Sequence, residues 1–329
     1  MIMSSEEMNS YKEEMSNETI GGVPEGVGDI CGTNYNKEGR VVGRHRNNVW
    51  CLAIHENKLY SGSDDKTIGV WDMETHKTIA TLEGHTRGVE SITNDGNKLY
   101  SGGTIGDGSI RVWNRETHKK IKILRGQQYP LPYGVKKSVG GLVVHENKLY
   151  SGGGYDDGTI HIWNTETYKL IGMLSGHTDM VEGLVVHENK LYSGSDDKTI
   201  RVWDTETHEL IATLSGHTDR VSCIALHKNK LYSGSYDKTI RVWDTETHEH
   251  IATLEGHTSY VRCLALHENK LYSGSWDTTI RVWNIEPYEF VATLRGHTGA
   301  VNCLVHDGNN LYSGGGRGHG DNTIRVWGF

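Results

Sequence analysis

The stretch GHTDRVSCIALHKNKLYSGSYDKTIRVWD, Gly216–Asp244, decides the fold. It holds three short apolar or β-branched segments, VSCIAL, KLYSGS and TIRVWD, parted by the turn-formers HKNK and YDK. A fourth segment of the same kind, LIATL at Leu210–Leu214, follows a TETH turn. Runs this short, rich in Val, Ile, Thr and Tyr and bounded by polar turn residues, predict strands. Helical periodicity is absent from the region.

Outward from this stretch the chain repeats itself. LYSG begins at Leu59, Leu99, Leu149, Leu191, Leu231, Leu271 and Leu311, at spacings of 40, 50, 42, 40, 40 and 40. Twelve to sixteen residues after each Leu comes a Trp: Trp71, Trp113, Trp163, Trp203, Trp243, Trp283 and Trp327. One four-stranded sheet cannot bury both of its faces, so units of this kind must stack on one another. A period near 40 residues with GH early and WD late resembles the WD40 repeat, over residues 39–329. The resemblance implies an all-β, seven-bladed β-propeller. It also implies how the ring closes, because in such propellers an N-terminal strand completes the last blade. Here the last unit stops at Trp327-Gly328-Phe329, one strand short, while Arg40-Val41-Val42 is a strand without a blade. Closure removes a free sheet edge.

Each unit also carries polar residues in register. Examples are His45, Ser61, Asp65 and Trp71 in the first unit, and His217, Ser233, Asp237 and Trp243 in the fifth. Ser, His and Asp together suggest a hydrolase triad, but equal copies around a ring make poor active sites. The resemblance implies a buried chain instead, Trp to Ser to His to Asp, bracing each blade. Two units depart from the pattern: Gln127 follows Gly126 where a His is expected, and Arg44 replaces the Gly before His45. The third blade is therefore expected to be locally softer. The remaining histidines recur one per unit in turns and do not converge as zinc ligands would. No nucleotide loop, nucleophile elbow or metal motif occurs, so no catalytic residue, metal or cofactor is expected.

Bulk properties narrow the setting. No apolar run approaches the ~18 residues of a membrane helix, and no signal-peptide core precedes the repeats. Cys51, Cys223, Cys263 and Cys303 each lie two residues after a Val, as small buried thiols would, and the cysteine total is odd. A reducing, cytoplasmic location is the expectation. Residues 1–38 contain eight acids against Lys12 and Lys37, which is six of the chain's net −8. They read as an acidic, disordered tail, and direct nucleic-acid binding is disfavoured.

Loop lengths point to a functional face. The distance from strand-opening Val to LYSG is constant, as is that from each Trp to the next fourth-strand Leu. All length variation falls in the other two loops, at the end that carries the bracing His and Asp. The largest insertion, 125–138, contains QQYPLPYGVKK and reads equally as a lid or second contact arm and as a floppy loop. One-sided variation suggests a binding face, the top. In the propellers this chain resembles, partner-contacting side chains come from beside each strand-opening Val and just before each bracing Asp, and at those positions otherwise matching units differ. Trp50, Arg220, Tyr236, Tyr260, Arg262 and Trp276 are the expected partner-binding residues, with exposed side chains of the types that dominate interface hot spots. Asp64, Glu90, Asp156, Glu182 and Asp196 form an acidic patch on the other blades. The expected ligand is a protein or peptide with an acidic, aromatic stretch for the arginines and a basic end for the carboxylates. The reading is a non-enzymatic scaffold or adaptor, monomeric by itself. Lesser alternatives are a protein component of an RNA–protein particle and a phosphopeptide-reading ubiquitin-ligase receptor. The propeller resembles those of F-box receptors and those appended to some kinases. Residues 1–38 are too few for an F-box, WDxR is missing, and no kinase sequence is present.

Overall fold

The computed structural model describes residues 38–125, 138–154, 158–316 and 320–328. The N-terminal segment up to residue 37, insertion residues 126–137 with Gln127, and Asp156 with the bracing Asp157 lie outside the described residues. Among the described residues every regular element is a strand, and the strands form seven four-stranded antiparallel sheets.

The first blade runs outward through Val49–His55, Lys58–Ser63, Thr67–Asp72 and Thr78–Glu83. The next five repeat that order from innermost strands Val89–Asp95, Val139–His145, Val181–His187, Val221–His227 and Val261–His267. The seventh blade is composite: Ala300–His306, Asn310–Gly316 and Thr323–Gly328 come from the C-terminal end, and Arg40–Arg44 supplies its outer strand. Arg40 pairs with Val326 and Arg44 with Thr323, antiparallel. The spare strand and the missing strand are thus one pairing, as the counting required.

Each sheet buries one face against the next, and the LYSG string sets how closely. A Cβ on Gly62 would stand 2.7 Å from Val89 Cγ1 of the following blade, and one on Gly314 would stand 2.6 Å from Val49 Cγ1. Only glycine admits that approach, and the second of these contacts closes the ring. Between neighbouring blades lies an apolar layer. Between the fourth and fifth, for instance, Tyr192, Ile200, Val202 and Leu214 meet Val221, Leu231 and Trp243, each at most 4 % exposed. Burying one such Leu or Val side chain contributes about 1.5–3 kcal/mol, and the layer repeats around the ring.

The innermost strands share one irregularity. Val49 pairs with Ser63 and Cys51 with Gly62, so Trp50 is an extra residue in a β-bulge. The register shifts at the same place in every blade, including Val89/Ser91, Val181/Gly183, Val221/Cys223 and Val261/Cys263. A bulge leaves its extra residue outside the ladder and re-aims its side chain. Trp50, Glu90, Glu182, Ser222 and Arg262 occupy these positions, which is why they gather around the propeller axis.

Candidate functional site: the top-face mouth

The bracing chains come first, because they hold the top face in place. In the first blade His45 Nδ1 lies 2.8 Å from Asp65, its Nε2 2.7 Å from Ser61 Oγ, and Trp71 Nε1 donates to that oxygen at 2.8 Å. The fifth blade repeats this with His217, Asp237, Ser233 and Trp243 at 2.7, 2.8 and 2.9 Å. Burial alone would raise the Asp65 and Asp237 carboxyls. The hydrogen bonds from the histidines and from Thr67 and Thr239 win, and hold both far below the usual carboxylate range. Each carboxylate has its hydrogen-bonding capacity filled by the blade itself. In the third blade Trp163 still donates to Ser151 at 3.0 Å. Beside that pair is a cavity of about 20 Å³ lined in part by Ser151, His161 and Trp163.

Above the braces, loops and bulges bring the aromatic residues together. The Tyr236 and Tyr260 rings stack with centroids 4.3 Å apart and planes 5° apart. Trp276 leans on both, at 5.1 Å from Tyr260 and 5.9 Å from Tyr236. Arg220 lies over Tyr236 at 5.8 Å, and Arg262 lies 5.8 Å from the Trp50 ring and 5.9 Å from Tyr236. All six expected residues therefore form one continuous array. They are not exposed as expected: each is half-buried, because the rings cover one another.

The charges depart further from expectation. Arg262 reaches from the sixth blade to Glu182 of the fourth, Nη1 to Oε2 at 2.5 Å, and also donates to Tyr236 Oη at 3.2 Å. The two charged side chains are 11 % and 10 % exposed. Arg220 pairs with Asp196 at 3.1 Å. Two of the acids expected to face a ligand are thus paired with the two arginines in this structure. Burial opposes the Arg262 charge, but Glu182, Tyr236 and Glu90 hold it protonated. Burial and the neighbouring Glu182 charge push Glu90 up to about 8, although Arg262 draws it down. The same two causes raise Asp196, against Arg220. Asp64 accepts a hydrogen bond from Asn48 Nδ2 at 3.0 Å.

Other ring positions tie blades together. Ser222 Oγ donates to the Val261 carbonyl at 2.5 Å, and Asn302 Nδ2 to that of Val49 at 3.0 Å. Cys51, Cys263 and Cys303 are buried and Cys223 nearly so, and burial pushes Cys51 and Cys223 well above the ordinary thiol range. Such thiols are inert packing groups. Among the described residues no cluster could hold a metal ion, and no helix is long and apolar enough to cross a membrane.

The WD domain, G-beta repeat family model matches residues 36–72, 76–114, 168–204, 208–244, 248–284 and 288–328. The chain belongs to the WD40 family. The stretch 115–167 between matches contains the inner strands of the third blade, the blade of this WD40 chain whose bracing His is replaced. The chain is similar to Myosin heavy chain kinase C of Dictyostelium discoideum, 43 % identical over 49 residues, 15 % of this chain and 6 % of that protein. It is similar to WD repeat-containing protein pop2 of Schizosaccharomyces pombe, 48 % over 48 residues, 15 % and 7 % respectively. A third relative is Nuclear distribution protein nudF of Emericella nidulans, 45 % over 56 residues, 16 % and 13 %. The matched stretches therefore span 6 to 13 % of these relatives' own lengths. Among solved structures, the crystal structure of the computationally designed Ika8 protein superposes with a TM-score of 0.69 at 27 % identity. That match covers 89 % of this chain and all of the other.

Proposed function

We propose that this WD40 propeller is a non-enzymatic, cytoplasmic scaffold whose top-face mouth binds a peptide or protein segment. The observation that carries the reading is the stacked array of Trp50, Tyr236, Tyr260 and Trp276 beside paired charges. These residues stand at bulge and loop positions where otherwise matching blades differ. A preassembled aromatic wall loses little side-chain entropy when a ligand covers it, which is how such residues become hot spots. Phosphopeptide reading is disfavoured, since both arginines that would hold a phosphate are already paired with carboxylates.

The test is quantitative affinity capture from lysate with the native chain and a Tyr260→Ala/Trp276→Ala variant. Arg262 is left intact because its removal would strand Glu182. With the fold confirmed by circular dichroism, partners that disappear with the variant support the top face. Retention of every partner moves the binding site elsewhere.

A further inference from the structure

The charge balance of the mouth departs from what the array of arginines suggests. Five carboxylates, Asp64, Glu90, Asp179, Glu182 and Asp196, act on this place against two guanidinium groups. Arg262 is committed to Glu182 and Arg220 to Asp196. Glu90 is the remainder: among the described residues it has neither a hydrogen bond nor an ion pair, although it sits in the electrostatic reach of Glu182, Arg262, Asp64 and Asp196. Asp196 is itself incompletely matched. Its side chain is 1 % exposed, yet neither carboxylate oxygen accepts a hydrogen bond among the described residues. A carboxylate withdrawn from water without a donor costs free energy that a cation arriving with its own donors would recover.

The molecule also shows what geometry this place accepts. The Arg262 guanidinium lies near the Trp50 and Tyr236 rings with a carboxylate at 2.5 Å, so a planar cation between aromatic rings and an acid is already at rest there. The ring quadrupole attracts a desolvated cation by up to about 2 kcal/mol. An anion would meet the same ring faces and the surplus carboxylates, and both repel it.

Building on the binding role proposed above, we infer that the mouth receives a cationic side chain, the guanidinium or ammonium of an Arg- or Lys-bearing peptide segment. Its donors satisfy Glu90 and Asp196, and its stem packs on Tyr260 and Trp276. Because both carboxyls are raised, the cation displaces protons from them, and binding strengthens from pH 6 to pH 8.

The experiment selects phage-displayed random dodecapeptides on the full chain and measures synthetic versions of the recovered peptides against native, Glu90→Gln and Trp276→Ala proteins. Glu90 makes no bond whose loss would unfold the blade, so the Gln variant reports on charge alone. The expected result is enrichment of Arg and Lys, about tenfold weaker binding to both variants, and tighter binding at pH 8 than at pH 6. Acidic peptides that lose binding on Trp276→Ala would overturn the cationic ligand and leave the top-face site standing. Basic peptides indifferent to both variants would overturn site and ligand together, as they would then bind elsewhere. Recovery of no peptide from a folded chain overturns the cationic ligand as well.

Discussion

Arg262→Met should destabilise the propeller strongly, and Glu182→Met on top of it should restore most of the loss. The pair is 2.5 Å apart with side chains 11 % and 10 % exposed, far outside the regime where surface ion pairs contribute little. Breaking a buried pair by removing one partner costs about 3–5 kcal/mol, because the other charge is left in low dielectric. Here the stranded Glu182 also faces Glu90, whose raised carboxyl holds a proton near neutral pH and limits the repulsion, so the whole of that range applies. At about 2 °C per kcal/mol for a chain of this size, melting falls by about 6–10 °C. Replacing both members by apolar groups of similar volume is often neutral, so the double variant should return to within about 2 kcal/mol of the native chain. Thermal melts followed by circular dichroism at pH 7 measure all three. A single-variant loss below about 1 kcal/mol would show that Arg262 is a solvated surface group, and the description of the mouth would fail.

Three further outcomes follow from the same geometry. Ser233→Ala leaves the Trp243 N–H of the fifth blade without its acceptor and His217 Nε2 without the Ser hydroxyl, and should cost about 1–3 kcal/mol in urea unfolding. Asp277 is 7 % exposed and has its folded carboxyl lowered to about 2, burial being outweighed by His257 and Thr279; its roughly 2 kcal/mol is complete above pH 4 and lost as pH falls toward 2. The stability gap between native and Asp277→Asn chains should therefore close over that window. Glu90 has the opposite sign: its folded carboxyl is raised to about 8, so its charge erodes stability as pH climbs from about 4.5 through 8. Glu90→Gln should melt at least about 2–4 °C above the native chain at pH 8 and level with it at pH 5.

The blades were legible in the sequence because their determinants are local and repeated. LYSG fixes a strand, a buried Tyr and Ser, and a glycine that admits the next blade's Val, and each of these acts within one period. Ring closure was legible by counting strands. The mouth was legible only as positions. That Trp50, Glu90, Glu182 and Arg262 would gather at the axis depends on the bulge after each opening Val, which no single unit announces. The Arg262–Glu182 bond joins residues 80 apart in the chain and two blades apart in the ring. The available signal was opposite charge at equivalent bulge positions two blades apart. Likewise Trp276 reads as exposed from its own segment, and only the neighbouring loops supply the Tyr rings that half-cover it.

The most direct test of the mouth as the binding site is hydrogen–deuterium exchange of the chain alone and with a partner recovered by capture. Protection should appear in segments 218–222, 258–262 and 276–278, which carry Arg220, Tyr260, Arg262 and Trp276. Protection confined to the opposite-face turns at 187–190, 227–230 and 267–270 would contradict it.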